Sequence, residues 1–463
     1  MKCILFSLIV GLFGLSNHGL LAQVPSEKPE GLDKVVSDWM TKAKIPGLAL
    51  ARIENGKVAW TRVYGEAEPG RAVTAQTPFN VASLTKPVFA TLVLHLVAQS
   101  KFDLDAPLAD YWVDPDLVSD PRVKKITGRM ALSHQTGLPN WRGGNKLAFQ
   151  FNPGEGTDYS GEGFEFLRRA IEKKLGKPLP ELAKSLKKQA GMASASFGWI
   201  PELENRIAVG YDEAGKTFSI AYLENRGPAA ASSLFCSLQD YANFTAWVSR
   251  GAELPKPIFK MMQKDQAMHD RAIDRFGLGW RIVSLDDVTV LAHDGREDGV
   301  RTQVYVVPED RSGFVFLTNS SNGELITRPL TKTVMPRGAA IQDAMDANAW
   351  EFASSIPPQV QPRMLGFIAR SPAFVSRLLH GAEIGLIRAH FPGKKDRQEI
   401  DNAVDRIVIA LLHESLDSEA VLSFFKTMGK TSDQGFQLAS SLSQEEAAQW
   451  RSGLLDLAPK AEK

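Results

Sequence analysis

The residue pattern that could do chemistry begins at Ser83-Leu84-Thr85-Lys86. At the start of a helix, positions i and i+3 share a face, so the Lys86 amine can reach the Ser83 hydroxyl. A serine hydroxyl needs a base to become a nucleophile. A lysine can serve when a desolvated site or a nearby cation lowers its pKa. Ser83 at a helix start also gains from the positive end of the helix dipole, and Pro87 fits a first turn, where few amide hydrogens have partners. The spacing alone is weak: Ser185 to Lys188 and Ser423 to Lys426 repeat it and read as ordinary helix positions.

The surroundings sharpen the reading. Phe79 to Thr91, Phe-Asn-Val-Ala-Ser-Leu-Thr-Lys-Pro-Val-Phe-Ala-Thr, resembles the nucleophile region of serine beta-lactamases and penicillin-binding proteins. It is most similar to the branch of class C beta-lactamases, esterases and D-peptidases. Gly47 to Tyr64 resembles that family's opening hairpin, Leu132 to Pro139 its Leu-x-His-x-x-Gly-Leu-Pro segment, and Phe276 to Trp280 the strand before its last motif. The resemblance covers residues 31 to 335.

It implies a second motif, Tyr-x-Asn or Tyr-x-Ser. Tyr241-Ala242-Asn243 matches the letters, whereas Tyr159-Ser160-Gly161 matches the context, with Pro153-Gly154 before it and a helical pattern, Phe164 to Leu175, after it. Tyr159 is the expected residue, because Tyr241 falls in the helical stretch Leu238 to Val248 and suits packing. A tyrosine oxygen beside an ammonium has a lowered pKa. Tyr159 could then take the Ser83 proton, pass it to the leaving group and activate water. The third implied motif is Lys-Thr-Gly or His-x-Gly. His293-Asp294-Gly295 is the one His-x-Gly among eight histidines, expected after one strand and before another. Gly295 would let the backbone approach a substrate, and the resemblance puts an oxyanion hole at the backbone N–H groups of Ser83 and Arg296.

Two departures bear on substrate. Gly161 replaces the amide or hydroxyl that closes the tyrosine motif. Asp294 places a negative charge near where the resemblance implies that a beta-lactam carboxylate would bind, which disfavours that carboxylate unless Arg296 compensates. Both favour an esterase or a peptidase over an efficient beta-lactamase. Arg301 also flanks the third motif and reads as solvated surface.

The elements that position these residues follow from periodicity. Residues 31 to 44 read as an amphipathic helix. Gly47 to Ile53 and Val58 to Tyr64 read as strands joined through Asn55-Gly56. Phe276 to Val283, Val288 to Ala292, Val300 to Val307 and Gly313 to Thr318 read as four late strands. Residues 83 to 265 are richer in helical patterns. Strands at both ends with helices between predict an α+β domain, an antiparallel sheet flanked by helices with a helical subdomain, of the beta-lactamase/DD-peptidase type. The expected layout is a signal peptide over 1–22, a serine hydrolase domain over 24–338, and a helical bundle over 345–463. In the first, Lys2 precedes the apolar run Ile4 to Leu15, with Ala22 before the expected cleavage.

The 463 residues are 44% hydrophobic and 23% charged, the composition of a folded globular chain. With 54 basic and 53 acidic residues, there is no basic excess for nucleic acid, and no apolar run spans a bilayer. After cleavage only Cys236 remains, so no intramolecular disulfide forms. Without a His-Glu-x-x-His motif or cysteine cluster, no metal is expected, and no cofactor. The sequence thus predicts an exported, periplasmic or extracellular serine hydrolase that acts through an acyl-enzyme on a small ester, lactam or peptide. The alternative is a catalytically weak penicillin-binding-like module that holds peptidoglycan fragments or a protein partner. The C-terminal helices are expected to contact the main domain or a partner.

Overall fold

The computed structural model describes residues 28–345, apart from 213–214, 267–274 and 343. The N-terminal apolar run and the predicted C-terminal bundle lie outside the described residues. Helix α1 (Leu32–Lys42) leads into β1 (Gly47–Glu54) and β2 (Lys57–Glu68). Their hairpin turns at Asn55 and Gly56, both at positive φ, the geometry that Asn-Gly pairs supply with least strain. Short strands β3 (Arg71–Ala72) and β4 (Pro78–Asn80) follow, then α2 (Thr85–Ala98), α3 (Gly128–Leu132) and α4 (Gly161–Leu175). Next come β5 (Ser196–Phe197), β6 (Leu234–Ser237) and a helix over Leu238–Ser249. The last strands are β7 (Arg281–Ser284), β8 (Thr289–Glu297), β9 (Val300–Val307) and β10 (Ser312–Thr318), before a helix over Glu324–Val334.

Seven strands form one antiparallel sheet in the order β3-β2-β1-β10-β9-β8-β7. The first long strand and the last described strand meet where β1 pairs with β10, Leu48 opposite Thr318 and Ile53 opposite Gly313. The fold is thus the α+β architecture expected. Alternation along the central strands sends side chains to two cores. Ala49, Ala51, Val315 and Leu317 face the layer that contains α2, α4 and the Leu238–Ser249 helix. Leu48, Leu50, Phe314 and Phe316 face α1 and the Glu324–Val334 helix. The sheet is covered on both faces, and β8 borders the site.

Two strand expectations need correction. Phe276 to Val283 is not one strand: Phe276 makes a single bridge to Arg281, the chain bends, and β7 starts at Arg281. The glycines explain the bend. Gly279 has φ +82°, and a Cβ there would lie 2.1 Å from Ala90 Cβ; one on Gly277 would lie 2.2 Å from the Met262 carbonyl oxygen. Gly279 lets the chain pass directly over α2 and Gly277 lets it pass over the helix Lys256–Gln263, a packing that overrides strand propensity. The strand expected to end at Ala292 runs on to Glu297, so His293-Asp294-Gly295 lies inside β8 rather than between strands. Its ladder with β9 continues from Leu291 opposite Val306 to Glu297 opposite Val300.

Candidate active site

Ser83 is the middle residue of a 3-10 turn, Ala82–Leu84, that runs directly into α2. The turn is fixed from several sides. Ala82 takes φ +49°, and its N–H donates to Asn80 Oδ1 at 2.9 Å. Thr85 Oγ1 donates to Ala82 O at 2.6 Å and accepts from Leu234 N at 2.9 Å. Tyr241, buried against Phe244, donates its hydroxyl to Leu84 O at 2.9 Å. Tyr241 thus braces the turn, and its phenol is pushed well up by burial, then by Cys236.

One helical turn on, Lys86 is fully buried. Its Nζ donates to Ser83 Oγ at 3.2 Å and to the Ala231 carbonyl at 3.0 Å. Burial pulls the amine down from its usual 10.5 to about 7, against the attraction first of Glu165 and then of Asp294 and Glu297. Near neutral pH, Lys86 therefore holds a substantial fraction of free amine within reach of the serine hydroxyl.

Tyr159 precedes α4, and the Lys86 Nζ lies 4.6 Å from its ring centroid. The tyrosine is held by His134, from the Leu132–Pro139 segment. Ser160 N donates to His134 Nδ1 at 3.0 Å, Asp158 N donates to the His134 carbonyl at 2.8 Å, and the two rings lie 4.4 Å apart. Burial, with Lys86 and His293 nearby, holds the His134 imidazole well below its usual pKa. It is neutral and acts as an acceptor at Nδ1. The Ser160 hydroxyl caps α4 by accepting from Gly163 N at 2.9 Å.

β8 supplies the opposite wall. His293 Nδ1 lies 2.7 Å from the Asp294 carbonyl. A carbonyl only accepts, so Nδ1 carries the proton and Nε2 is a bare acceptor. That Nε2 is buried and has no hydrogen-bond partner among the described residues. Burial, Lys86 and Arg281 together pull the imidazole down to about 3, outweighing Asp294, so His293 stays neutral at physiological pH. Gln303 on β9 donates to the His293 carbonyl at 2.9 Å. Gly295 fits tightly against the serine turn: a Cβ there would meet Thr302 Oγ1 at 2.1 Å, Val81 O at 2.5 Å and Ser83 N at 3.3 Å. The glycine thus brings the strand that carries Arg296 beside the Ser83 amide.

The charge of Asp294 is balanced by a residue that sequence reasoning did not single out. Arg281 on β7 lies 3.5 Å from Asp294 Oδ1. Desolvation raises the carboxyl, but Arg281 first, then His293 and Arg296, outweigh it and hold it at about 2. The compensating cation expected at Arg296 is therefore chiefly Arg281. Arg301 donates to the Glu297 and Val300 carbonyls at the hairpin end. At Gly161 the missing side chain also has a counterpart. A Cβ there would lie 2.8 Å from the indole of Trp141, which is 47% exposed. Asn140 ties this loop to α4, its Oδ1 accepting from Gly161 N at 3.1 Å.

The structure therefore brings Ser83, Lys86, Tyr159, His293 and Gly295 together at the meeting of α2, α4 and β8. The His134, Arg281 and Trp141 roles were not predicted, although His134 and Trp141 lie in or beside Leu132–Pro139 and Arg281 follows Trp280 directly. No group of three or more His, Cys, Asp or Glu side chains able to hold a metal occurs among the described residues. No described helix is long and apolar enough to cross a membrane.

The profile of the beta-lactamase family matches residues 32–330, and the chain belongs to that family. Protein flp of Staphylococcus aureus strain N315 is 20% identical over 321 residues, covering 64% of this chain and 64% of that protein. Esterase EstB of Burkholderia gladioli is 27% identical over 215 residues, 39% of this chain and 54% of that protein. The chain thus spans less than two thirds of the length of either relative. The octameric penicillin-binding protein homologue from Pyrococcus abyssi superposes with a TM-score of 0.54 at 21% identity, over 63% of this chain and 73% of that one. That likeness shows the shared fold.

Proposed function

We propose that the protein is a serine hydrolase that forms an acyl-enzyme on Ser83 from an ester or amide. The observation that carries this reading is the 3.2 Å contact between a fully buried lysine amine and the serine hydroxyl. In the first half-reaction, Ser83 Oγ attacks the substrate carbonyl and its proton passes to the free amine of Lys86. The tetrahedral oxyanion is received by the N–H groups of Ser83 and Arg296. Collapse breaks the bond to the leaving group, which takes the proton back through Lys86 or Tyr159. Water then attacks the acyl-serine and loses its proton to the same pair; collapse breaks the bond to Ser83 Oγ, which takes that proton back as the acid leaves. His293, neutral, offers its Nε2 as an acceptor to the substrate.

The substrate class follows from the walls. The indole of Trp141 sits against Gly161, so an aromatic surface lies where an amide-binding side chain would project. Arg281 is engaged by Asp294. Both features favour simple esters, or peptides without a beta-lactam-like carboxylate, over lactams. The similarity to a Burkholderia gladioli protein named as an esterase supports this preference. We also propose export, on the strength of the Lys2 to Ala22 pattern; a mature chain starting at Gln23 on N-terminal sequencing is the expected result, and an intact Met1 the contrary one.

The test is a burst assay with p-nitrophenyl esters. The wild type is expected to release one equivalent of nitrophenol rapidly when deacylation is slower than acylation, and to turn over thereafter. Ser83→Ala is expected to abolish turnover. A folded Ser83→Ala that hydrolyses esters at the wild-type rate would overturn the assignment.

A further inference from the structure

We infer that Glu165 is a positioning residue of the Ser83–Lys86 pair: it seats the segment that receives the Lys86 amine and supplies a fixed negative charge beside that amine. The inference rests on the hydrolase reading above. Glu165 lies on the second turn of α4 and is buried, 6% exposed. Its Oε1 accepts from two consecutive backbone amides, Ala230 N at 2.6 Å and Ala231 N at 3.0 Å. The carbonyl of that same Ala231 accepts from Lys86 Nζ at 3.0 Å. One residue thus stands between the carboxylate and the amine, its N–H toward one and its C=O toward the other.

This segment needs such a partner. Ala230 and Ala231 are buried and lie in a loop before β6, outside any helix or strand ladder. Buried amides there require an acceptor from elsewhere. A neutral glutamine would satisfy both amides without the cost of burying a charge, so the charge itself calls for a role. Arg168 takes part of it: its Nε donates to Glu165 Oε2 at 2.7 Å, and its other end is bound by Glu172 at 2.6 Å. Glu172 in turn accepts from Leu179 N at 2.7 Å. Arg168 is thereby shared between two carboxylates, which leaves net negative charge on the side facing Lys86.

The other groups around the amine come from every neighbouring element. Asp294 and Glu297 on β8 attract the ammonium, while Arg281 on β7 opposes it. His134 and His293 lie close enough to feel Lys86, and both are neutral. Tyr159 and Phe164 present their rings to it. Of these influences, the attraction of Glu165 offsets burial the most. Without it the amine would lose its proton at lower pH.

The experiment measures the rate of covalent inactivation by a fluorophosphonate against pH, followed by intact mass, so that no natural substrate is needed. In the wild type the rate should fall as pH drops through the Lys86 pKa. In Glu165→Gln, which keeps an acceptor for the amides, that acid limb should move to lower pH by about half to one unit. In Arg168→Gln, which unmasks Glu165, it should move to higher pH. Glu165→Ala should lower the plateau rate by about ten- to a hundredfold, and Gln should recover much of that loss. Thermal melts establish that each variant folds; if Glu165→Gln does not, the direction of the Arg168→Gln shift decides. An adduct on Ser83 whose acid limb is unmoved in these variants overturns the role of Glu165 alone. Absence of any wild-type adduct defeats the hydrolase reading, and this one with it.

Discussion

Replacing Lys86 by methionine should stabilise the fold while abolishing reaction at Ser83. Lys86 is fully buried, and its amine is drawn from 10.5 to about 7, mostly by burial. The folded-state pKa lies below the unfolded one, so between pH 7 and 10.5 the unfolded chain holds a proton that the folded chain has released. Stability therefore rises with pH across that window and is flat below it. Each pH unit corresponds to about 1.4 kcal/mol, so near pH 7 the full effect is about 5 kcal/mol against folding. Methionine removes this burden but strands the Ala231 carbonyl, at about 1–3 kcal/mol, and loses the bond to Ser83, at about 1 kcal/mol. The balance is a gain on the order of 2 kcal/mol, or about 5 °C in melting temperature. Calorimetry of both proteins at pH 7, 8 and 9 measures it. The gain should be greatest at pH 7 and shrink as pH rises. Tyr241 and Cys236, both raised by burial, titrate in both proteins and cancel in the difference. A methionine variant that melts below wild type at pH 7, by an amount that does not change with pH, would refute the reasoning.

Gly295→Ala should reduce ester hydrolysis by at least about a hundredfold, because its Cβ would overlap Thr302 Oγ1 and Val81 O and push β8 off the serine turn; a steady-state rate close to wild type would contradict that packing. Trp141→Ala should reduce the preference for butyrate over acetate p-nitrophenyl esters by about tenfold, read as a ratio of kcat/KM values. An unchanged ratio would place the indole outside the acyl path. Asp294→Asn should remove the negative charge beside the third motif and speed acylation by benzylpenicillin by about tenfold, measured by intact mass; no change would remove the Asp294 charge as the reason for disfavouring lactams.

Much of the architecture was legible in the sequence because local signals agreed with the tertiary outcome. Asn55-Gly56 set the first hairpin, and the turn at Pro308 to Ser312 helped locate the strand Val300–Val307. Misreadings arose where tertiary contact outweighs local preference. Gly277 and Gly279 look tolerable in a strand, yet they serve close passage over Met262 and Ala90, and the strand breaks there. Ala292 looked like a strand end because His293-Asp294-Gly295 is polar and flexible by type, whereas pairing with β9 carries β8 to Glu297. At the site, the short-range Ser83-Lys86 relation was readable because three residues fix it on one helical face. The pairing of Asp294 with Arg281 and the support of Ala231 by Glu165 cross between elements, and no spacing in the chain encodes either. Tyr241 illustrates the same limit: its helical context suggested packing, but only the fold shows that its hydroxyl holds Leu84.

The central claim is that Ser83 is an activated nucleophile. It is tested most directly by treating the protein with a fluorophosphonate at pH 8 and mapping the labelled peptide by mass spectrometry, beside Ser83→Ala and Lys86→Met. The account predicts a single adduct on Ser83 in the wild type and none in either variant. A folded wild type that takes no adduct, or one labelled at another residue, would contradict it.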